Sequence, residues 1–174
     1  WTVQRKPWTL VDGGNEGGIF LSKNEGKTWK KLKNGLPEGL IGKIEVEYSP
    51  VNSNRIWAMI TAKEEDEGGL YRSDNGGESW SVLKSGLPNN PDSNDDGVVD
   101  DDDSPTKNMG KIGLAISPQN PDVVYAAIEL DRSTGGVYRS ENRGESWKKM
   151  SNTVSGATGP HYYQELYASP HKFD

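Results

Sequence analysis

Three copies of one eight-residue motif constrain the fold of this chain more than any other feature. Motif 1 is Ser22–Trp29, motif 2 is Ser73–Trp80 and motif 3 is Ser140–Trp147; each reads S-x-N-x-G-x-(S/T)-W. A short β-prone run opened by two glycines, as in Gly68–Arg72, precedes each motif. A turn-rich unit that recurs in this way indicates a repeat architecture.

A second pattern runs in step with the motifs and fixes the repeat length. Gly42–Pro50 matches Gly110–Pro118, and both runs lead into an Asn-containing turn and a further β-prone run. The motifs begin 51 and 67 residues apart. The second interval is longer because 17 extra residues fall between Leu83 and Gly110, while the run from Gly110 to motif 3 is one residue shorter than its counterpart from Gly42 to motif 2. The underlying repeat is therefore about 50 residues, the length of one propeller blade.

One complete unit can be written as four strands. The residues predict strands over Lys43–Tyr48, Arg55–Ala62, Gly69–Ser73 and Ser79–Leu83, because each run combines β-branched and aromatic residues between turn formers. Short connections predict antiparallel pairing. Since a lone four-stranded sheet cannot bury both faces, we expect an all-β fold, a β-propeller segment whose blades stack on one another. The 21 glycines and six tryptophans suit such turns and anchors.

The repeat divides the chain into blades and one insertion. Two complete and two partial blades would not close a ring, so we expect a longer polypeptide or partner chains to supply the remaining blades. The expected divisions are a trailing partial blade over 1–40, a blade over 41–88, an acidic insertion over 89–109, a blade over 110–159 and the start of another over 160–174.

The three motifs resemble the Asp-box, or BNR repeat, of sialidases, sortilin-type receptors and some xyloglucanases. The family pattern is S-x-D-x-G-x-T-W, and here Asn24, Asn75 and Asn142 stand at its Asp position. Asn keeps a side-chain carbonyl that can accept backbone N–H bonds across a turn. We therefore expect each motif to stabilise the hairpin turn between two strands, with its Trp packed as an apolar anchor. We expect no catalytic residue in the motifs.

The sequence of the blades is most similar to that of sortilin-type propellers and their uncharacterised bacterial relatives. The shared features include Gly35–Pro37 after the motif, Gly42–Ile44 into the first strand and His161–Tyr163 before the last one. The resemblance implies a secreted or cell-surface protein of bacterial type that binds protein, peptide or glycan ligands. It covers the whole chain apart from the acidic insertion.

The acidic insertion predicts a calcium site. Residues 92–103 carry seven Asp, which account for more than the whole net charge of −6, and their alternation follows the twelve-residue calcium loop with Gly97 at its sixth position. The last position is Asp instead of Glu, and no amphipathic helices flank the loop. The alternative is a solvated acidic loop with no bound ion. The predicted ligands are Asp92, Asn94, Asp96, the Val98 carbonyl, Asp100 and Asp103.

No catalytic constellation emerges from the sequence. It has no nucleophile elbow, phosphate-binding loop or H-E-x-x-H motif. Lys and Arg are scattered among acids, which argues against nucleic acid as a partner, and no apolar run is long enough to span a membrane. The sequence favours a non-catalytic binding or scaffolding segment. Two alternatives stay open: part of a sialidase- or xyloglucanase-like glycoside hydrolase with its acids elsewhere, and a structural subunit that assembles through open blades.

Overall fold

The computed structural model describes residues 14–62, 67–83, 109–130, 134–151 and 166–171. Within these ranges the chain forms β-strands joined by turns, which confirms the all-β prediction. The strands in chain order are β1 (Phe20–Leu21), β2 (Lys30–Lys31), β3 (Ile41–Tyr48), β4 (Ile56–Ala62), β5 (Gly69–Ser73), β6 (Ser81–Leu83), β7 (Met109–Ile116), β8 (Val124–Leu130), β9 (Thr134–Ser140) and β10 (Lys148–Ser151).

The strands form three antiparallel sheets, each a meander in chain order. Strands β1 and β2 pair with each other and are here called blade 1. The order β3-β4-β5-β6 makes blade 2, and β7-β8-β9-β10 makes blade 3. Blades 2 and 3 are thus the four-stranded antiparallel units that the repeat predicts. The domain divisions drawn from the sequence stay predictions, because residues 84–108 and 152–165 lie outside the described residues.

The predicted strands of blade 2 lie close to the observed ones, and the differences have physical causes. Strand β3 begins two residues before the predicted Lys43, where a register shift between Ile41 and Ile44 accommodates Gly42. Strand β6 begins two residues after the predicted Ser79. The backbone N–H of Ser79 is engaged by the motif turn, and that of Trp80 donates to the Asn34 carbonyl of blade 1. Neither is therefore free to join the ladder.

The hydrophobic core lies between the blades. Alternate residues of β4 point to opposite faces of blade 2, as the two-residue period of a strand requires. Ala58 and Ile60 belong to a cluster shared with blade 1, whereas Trp57 and Met59 belong to a cluster shared with blade 3. Full burial of a side chain the size of Ile60 or Met59 contributes about 1.5–3 kcal/mol to folding. Packing against both neighbouring blades therefore stabilises blade 2.

Burial differs between the first strand of blade 2, β3, and the first strand of blade 3, β7, at equivalent repeat positions. Leu114 and Ile116 of β7 are buried in the cluster that blade 3 shares with blade 2. Val46 and Tyr48 stand at the same repeat positions of β3 and are exposed. Their side of blade 2 faces blade 1, of which the structure describes only β1 and β2 as strands. Burial of a first strand thus depends on a complete neighbouring blade.

Candidate functional site: the joint between blades

The three motifs form the same hydrogen-bonded turn. The Ser hydroxyl accepts the N–H of the motif glycine at 2.8 Å in motif 1, 2.9 Å in motif 2 and 2.8 Å in motif 3. The Trp indole N–H donates to the carbonyl of the same glycine at 2.9–3.2 Å. Each turn therefore closes on itself and holds its indole in one position.

Asn uses both ends of its amide in these turns. In motif 2 the Asn75 Oδ1 accepts from the Ser79 backbone N–H at 2.9 Å and from the Ser73 hydroxyl at 2.9 Å. The Asn75 Nδ2 donates to the Ser79 hydroxyl at 2.8 Å. Asn24 and Asn142 make the equivalent bonds. Asn thus performs the acceptor role that the turn needs and adds a donor to it.

Motifs 2 and 3 each pack on the blade before them. A Cβ placed on Gly77 of motif 2 would lie 2.9 Å from Leu32 Cδ1 of blade 1, and one placed on Gly144 of motif 3 would lie 2.9 Å from Leu83 Cδ1 of blade 2. Leu32 and Leu83 hold the same repeat position, three residues after the motif Trp. We call the first of these contacts joint 1 and the second joint 2. Glycine is favoured at both because each has a positive φ, 88° and 91°, and because the leucine occupies the space of a side chain.

The exposure of each motif indole also depends on the blade before it. Trp80 is 6% exposed and lies in the cluster with Leu32, and Trp147 packs against the cluster that blade 2 shares with blade 3. Trp29 of motif 1 makes the same turn but is 63% exposed. Where a preceding blade is described, the motif Trp is buried (Trp80) or partly buried (Trp147), and Trp29, for which no preceding blade is described, is exposed.

A polar network connects blades 2 and 3 next to joint 2. Arg72 of blade 2 is mostly buried and donates to Glu145 Oε1 of blade 3 at 3.2 Å and to Asp74 of its own blade at 2.9 Å. Arg55 holds the other oxygen of Asp74 at 2.7 Å and approaches Asp122 of blade 3 to 3.6 Å. These paired charges cross from one blade to the next.

One carbonyl lies at the centre of this network. The Arg143 carbonyl accepts the indole N–H of the fully buried Trp57 at 2.9 Å and an Arg72 N–H at 3.3 Å, both from blade 2. Arg143 has a φ of 63°, a conformation that costs about 1–2 kcal/mol for a residue with a Cβ. Its guanidinium is held by Asp122 at 2.8 Å. The strained turn thus directs a carbonyl toward the neighbouring blade.

Charge in the network affects the pKa of Asp74. Burial by itself would raise the pKa of this carboxyl, but the hydrogen bonds and positive charges of Arg55 and Arg72 outweigh it. The pKa of Asp74 is accordingly lowered from its ordinary 3.8. The carboxylate stays ionised in the folded protein at neutral pH.

Glu47 is affected in the opposite direction. It lies on β3 opposite Trp57 in the strand ladder and therefore on the side of blade 2 that faces blade 3. Burial raises the pKa of its carboxyl above the ordinary 4.5. Carboxyls with raised pKa values occur at catalytic sites as well as in structural ones.

A cleft of ≈ 190 Å³ adjoins joint 1. Its walls are mainly apolar, with Leu32, Ile44 and Ile60 among them, and Lys31 and Lys33 stand on its rim. Ligand pockets usually have roughly 300–1,000 Å³. The cleft is therefore better described as a packing gap beside the joint.

The predicted calcium ligands Asp92, Asn94, Asp96, Val98, Asp100 and Asp103 lie outside the described residues, in the connection between β6 and β7. Among the residues that are described, no group of three or more His, Asp or Glu could hold a metal ion. The described part also has no helix with the length and apolar character needed to cross a membrane.

Sequence reasoning found the motifs but missed what they contact. Arg72 and Arg139 share a repeat position, directly before motifs 2 and 3. Arg72 pairs with Glu145 of blade 3, whereas Arg139 pairs with Glu141 of its own blade at 3.2 Å. The repeated leucine after each motif Trp was the available signal for the joint.

Comparison with solved structures places the chain in the β-propeller fold. An ancestral GH74 enzyme is similar at 20% identity with a TM-score of 0.52, over 85% of this chain and 17% of that one. A GH74 xyloglucanase from Xanthomonas campestris matches at 17% identity and a TM-score of 0.38, over 90% and 24% of the two chains. A GH74 enzyme from Niastella koreensis matches at 16% identity and 0.35, over 79% and 27%.

The first of these similarities confirms the predicted propeller-segment fold. No protein-family model matches the sequence, and no curated protein matches it significantly. This chain spans about one sixth of the length of the ancestral enzyme. At this level of identity the comparison describes the fold alone.

Proposed function

We propose that this chain is a non-catalytic scaffolding and binding segment of a larger propeller, and that its Asp-box-like motifs lock each blade to the one before it. The observation that supports this most is the repetition of one joint: Leu32 against Gly77, and Leu83 against Gly144. In each motif the Ser, the Asn, the glycine and the indole are used by the turn.

The scaffold proposal makes blades 2 and 3 one cooperative unit. Thermal unfolding followed at the indoles and at the backbone should give coincident transitions, and Leu83→Ala should lower both together. Ser81→Ala, at an exposed position of the same strand, serves as the matched control. Two separate transitions in the unaltered chain would contradict the proposal.

A glycoside hydrolase whose catalytic acids lie in blades outside this chain is the second candidate. The observation that favours it is the fold, which is similar to part of a GH74 enzyme. Turnover of xyloglucan by the complete polypeptide would establish this candidate in place of the first. Binding of glycans or peptides without turnover would support the scaffold.

We further propose that the insertion over 89–109 binds one Ca²⁺ through the ligands predicted above, which would order a loop with seven carboxylates in twelve residues. Calorimetric titration should show Ca²⁺ binding that Asp96→Ala removes, with Mg²⁺ as the control ion. No heat with Ca²⁺, together with unchanged stability of Asp96→Ala, would refute the site.

The remaining features of the proposal rest on the sequence resemblance alone. They are the sortilin-like character of the propeller, its protein, peptide or glycan ligands, and a secreted or cell-surface location. Detection of the intact protein outside the cell, and its loss on protease treatment of whole cells, would test the location.

A further inference from the structure

The sequence contains two Asn-Gly pairs, and different contacts hold them. Asn34 and Gly35 lie in the turn after motif 1, and Asn75 and Gly76 lie inside motif 2. In such a pair the glycine nitrogen can attack the side-chain amide carbon of the asparagine, because no Cβ on the glycine hinders the approach. How easily each pair reacts therefore depends on the contacts that hold its amide and its glycine in place.

The pair in motif 2 is held by bonds inside blade 2. The Gly76 N–H, whose nitrogen would be the nucleophile, donates to the Asn54 carbonyl at 2.8 Å. The side-chain amide of Asn75 makes three bonds, all to Ser73 and Ser79. The pair can react only after the motif turn itself has opened.

The pair after motif 1 is held across the boundary between blades 1 and 2, next to joint 1. The Asn34 carbonyl accepts the Trp80 N–H at 3.0 Å, and the Asn34 Nδ2 donates to the Glu78 carbonyl at 3.2 Å. Both partners belong to motif 2 of the next blade. Within the described residues no hydrogen bond uses the Gly35 N–H. Separation of the two blades would therefore free this pair.

We propose that Asn34 is a site of spontaneous deamidation, which reacts when joint 1 opens and whose product then weakens the joint permanently. The proposal rests on the role of the joints in the scaffold. The Gly35 nitrogen loses its proton to solvent and bonds to Asn34 Cγ; the Cγ–Nδ2 bond breaks, and ammonia leaves with a proton from water. Water then opens the cyclic imide at one of its two C–N bonds and leaves aspartate or isoaspartate.

Either product weakens the contact between the blades. A carboxylate at position 34 has no proton to donate to the Glu78 carbonyl, and it brings negative charge toward that oxygen. In isoaspartate the main chain runs through the former side chain and is one atom longer, which displaces the carbonyl that accepts the Trp80 N–H. A reversible opening of joint 1 thus becomes a lasting change.

Deamidation rates at the two pairs test the proposal. Peptide mapping by mass spectrometry follows them in the folded 174-residue chain at pH 8. Asn34 should react at least about tenfold faster than Asn75, because Asn75 must first lose the bonds of its own motif. In urea, where both pairs are unfolded, the rates should agree within about twofold. Equal rates in the folded chain, or a faster reaction at Asn75, would overturn the proposal.

Leucine truncations at the two joints test the link to joint 1. Leu32→Ala weakens joint 1 and should raise the rate at Asn34 at least about threefold, with a smaller effect at Asn75. Leu83→Ala makes the same truncation at joint 2 and should change the rate at Asn34 less than about twofold. Equal effects of the two truncations on Asn34 would overturn the proposal. Circular dichroism confirms that both variants are folded.

The effect of the modification is measured with Asn34→Asp, and Asn52→Asp is the matched control. The Asn52 side chain accepts the Asn54 N–H at 3.1 Å, a role that a carboxylate keeps. Asn34→Asp should therefore lower the urea midpoint of unfolding more than Asn52→Asp does, and equal midpoints would contradict a weakened joint. Separate unfolding transitions would count against the scaffold, whereas the order of the two deamidation rates decides the assignment of Asn34, so the two failures are distinguishable.

Discussion

Gly35 of blade 1 packs directly against the backbone carbonyl of Trp80 in blade 2. A Cβ on Gly35 would overlap that carbonyl oxygen, and the φ of Gly35 is 79°. The neighbouring Asn34 carbonyl accepts the Trp80 N–H at 3.0 Å, and its side chain donates to the Glu78 carbonyl at 3.2 Å. The turn after motif 1 is therefore fitted to the backbone of motif 2.

We predict that Gly35→Ala lowers the free energy of unfolding by at least about 3 kcal/mol, because backbone strain and a backbone clash add. Gly39 is the matched control: it lies in the same connection with a φ of 94°, and a Cβ there would meet no atom within 4 Å. Gly39→Ala should cost only the strain, about 1 kcal/mol. Equal losses for both, measured by urea unfolding, would contradict the close fit.

Exchange of Asn75 tests what the motif needs at its third position. Asn75→Asp keeps the acceptor for the Ser79 N–H, and the Ser79 hydroxyl can turn to donate to the second oxygen, so we expect a change within about 0.5 kcal/mol. Asn75→Ala loses both acceptor bonds and should cost about 1–2 kcal/mol. Equal free energies of unfolding for Asn75→Asp and Asn75→Ala, measured by chemical unfolding, would contradict this prediction.

The lowered pKa of Asp74 predicts an acid-dependent contribution to stability. Its folded pKa lies below the unfolded value of 3.8, so the contribution is present in full above pH 3.8 and is lost as pH falls through the folded pKa. The unfolding midpoint of Asp74→Asn should therefore lie below that of the unaltered chain at pH 7 and approach it below pH 4. A difference that does not change between pH 7 and pH 3 would show that Arg55 and Arg72 do not stabilise the ionised carboxylate.

Glu47 predicts the opposite dependence on pH. Its folded pKa lies above the unfolded value of 4.5, so ionisation of this carboxyl costs the folded state free energy once the pH rises through the folded pKa. Glu47→Gln should raise the melting temperature at pH 8 and have little effect at pH 4. A destabilised variant at pH 8 would mean that the ionised carboxylate is favourably paired.

The motif turns and the strands next to them could be predicted from the sequence, because they depend on contacts between residues close together in the chain. Ser73, Asn75 and Gly77 bond within five residues of one another, so the motif contains its own turn, and the strand β5 before it was predicted with its observed bounds. The joint could not be read in the same way. Leu83 and Gly144 are far apart in sequence, and only packing between sheets brings them together.

The errors at strand ends have the same origin. Ser79 and Trp80 have the composition of a strand start, but their N–H groups are taken by Asn75 and by the Asn34 carbonyl of another blade. Contacts between blades therefore override local propensity. The calcium site in the acidic insertion stays a prediction that rests on the spacing of its Asp and Asn residues.

A double-mutant cycle on Leu32 and Trp80 tests the central claim most directly, because these residues come from different blades and belong to one buried cluster at joint 1. Leu32→Ala, Trp80→Phe and the double variant would be compared by urea unfolding at pH 7. If the motif locks blade 2 to blade 1, the two changes are not additive, and the coupling free energy is at least about 0.5 kcal/mol. Additive losses, with a coupling below about 0.3 kcal/mol, would show that each residue stabilises its own blade and that the joint does not hold the blades together.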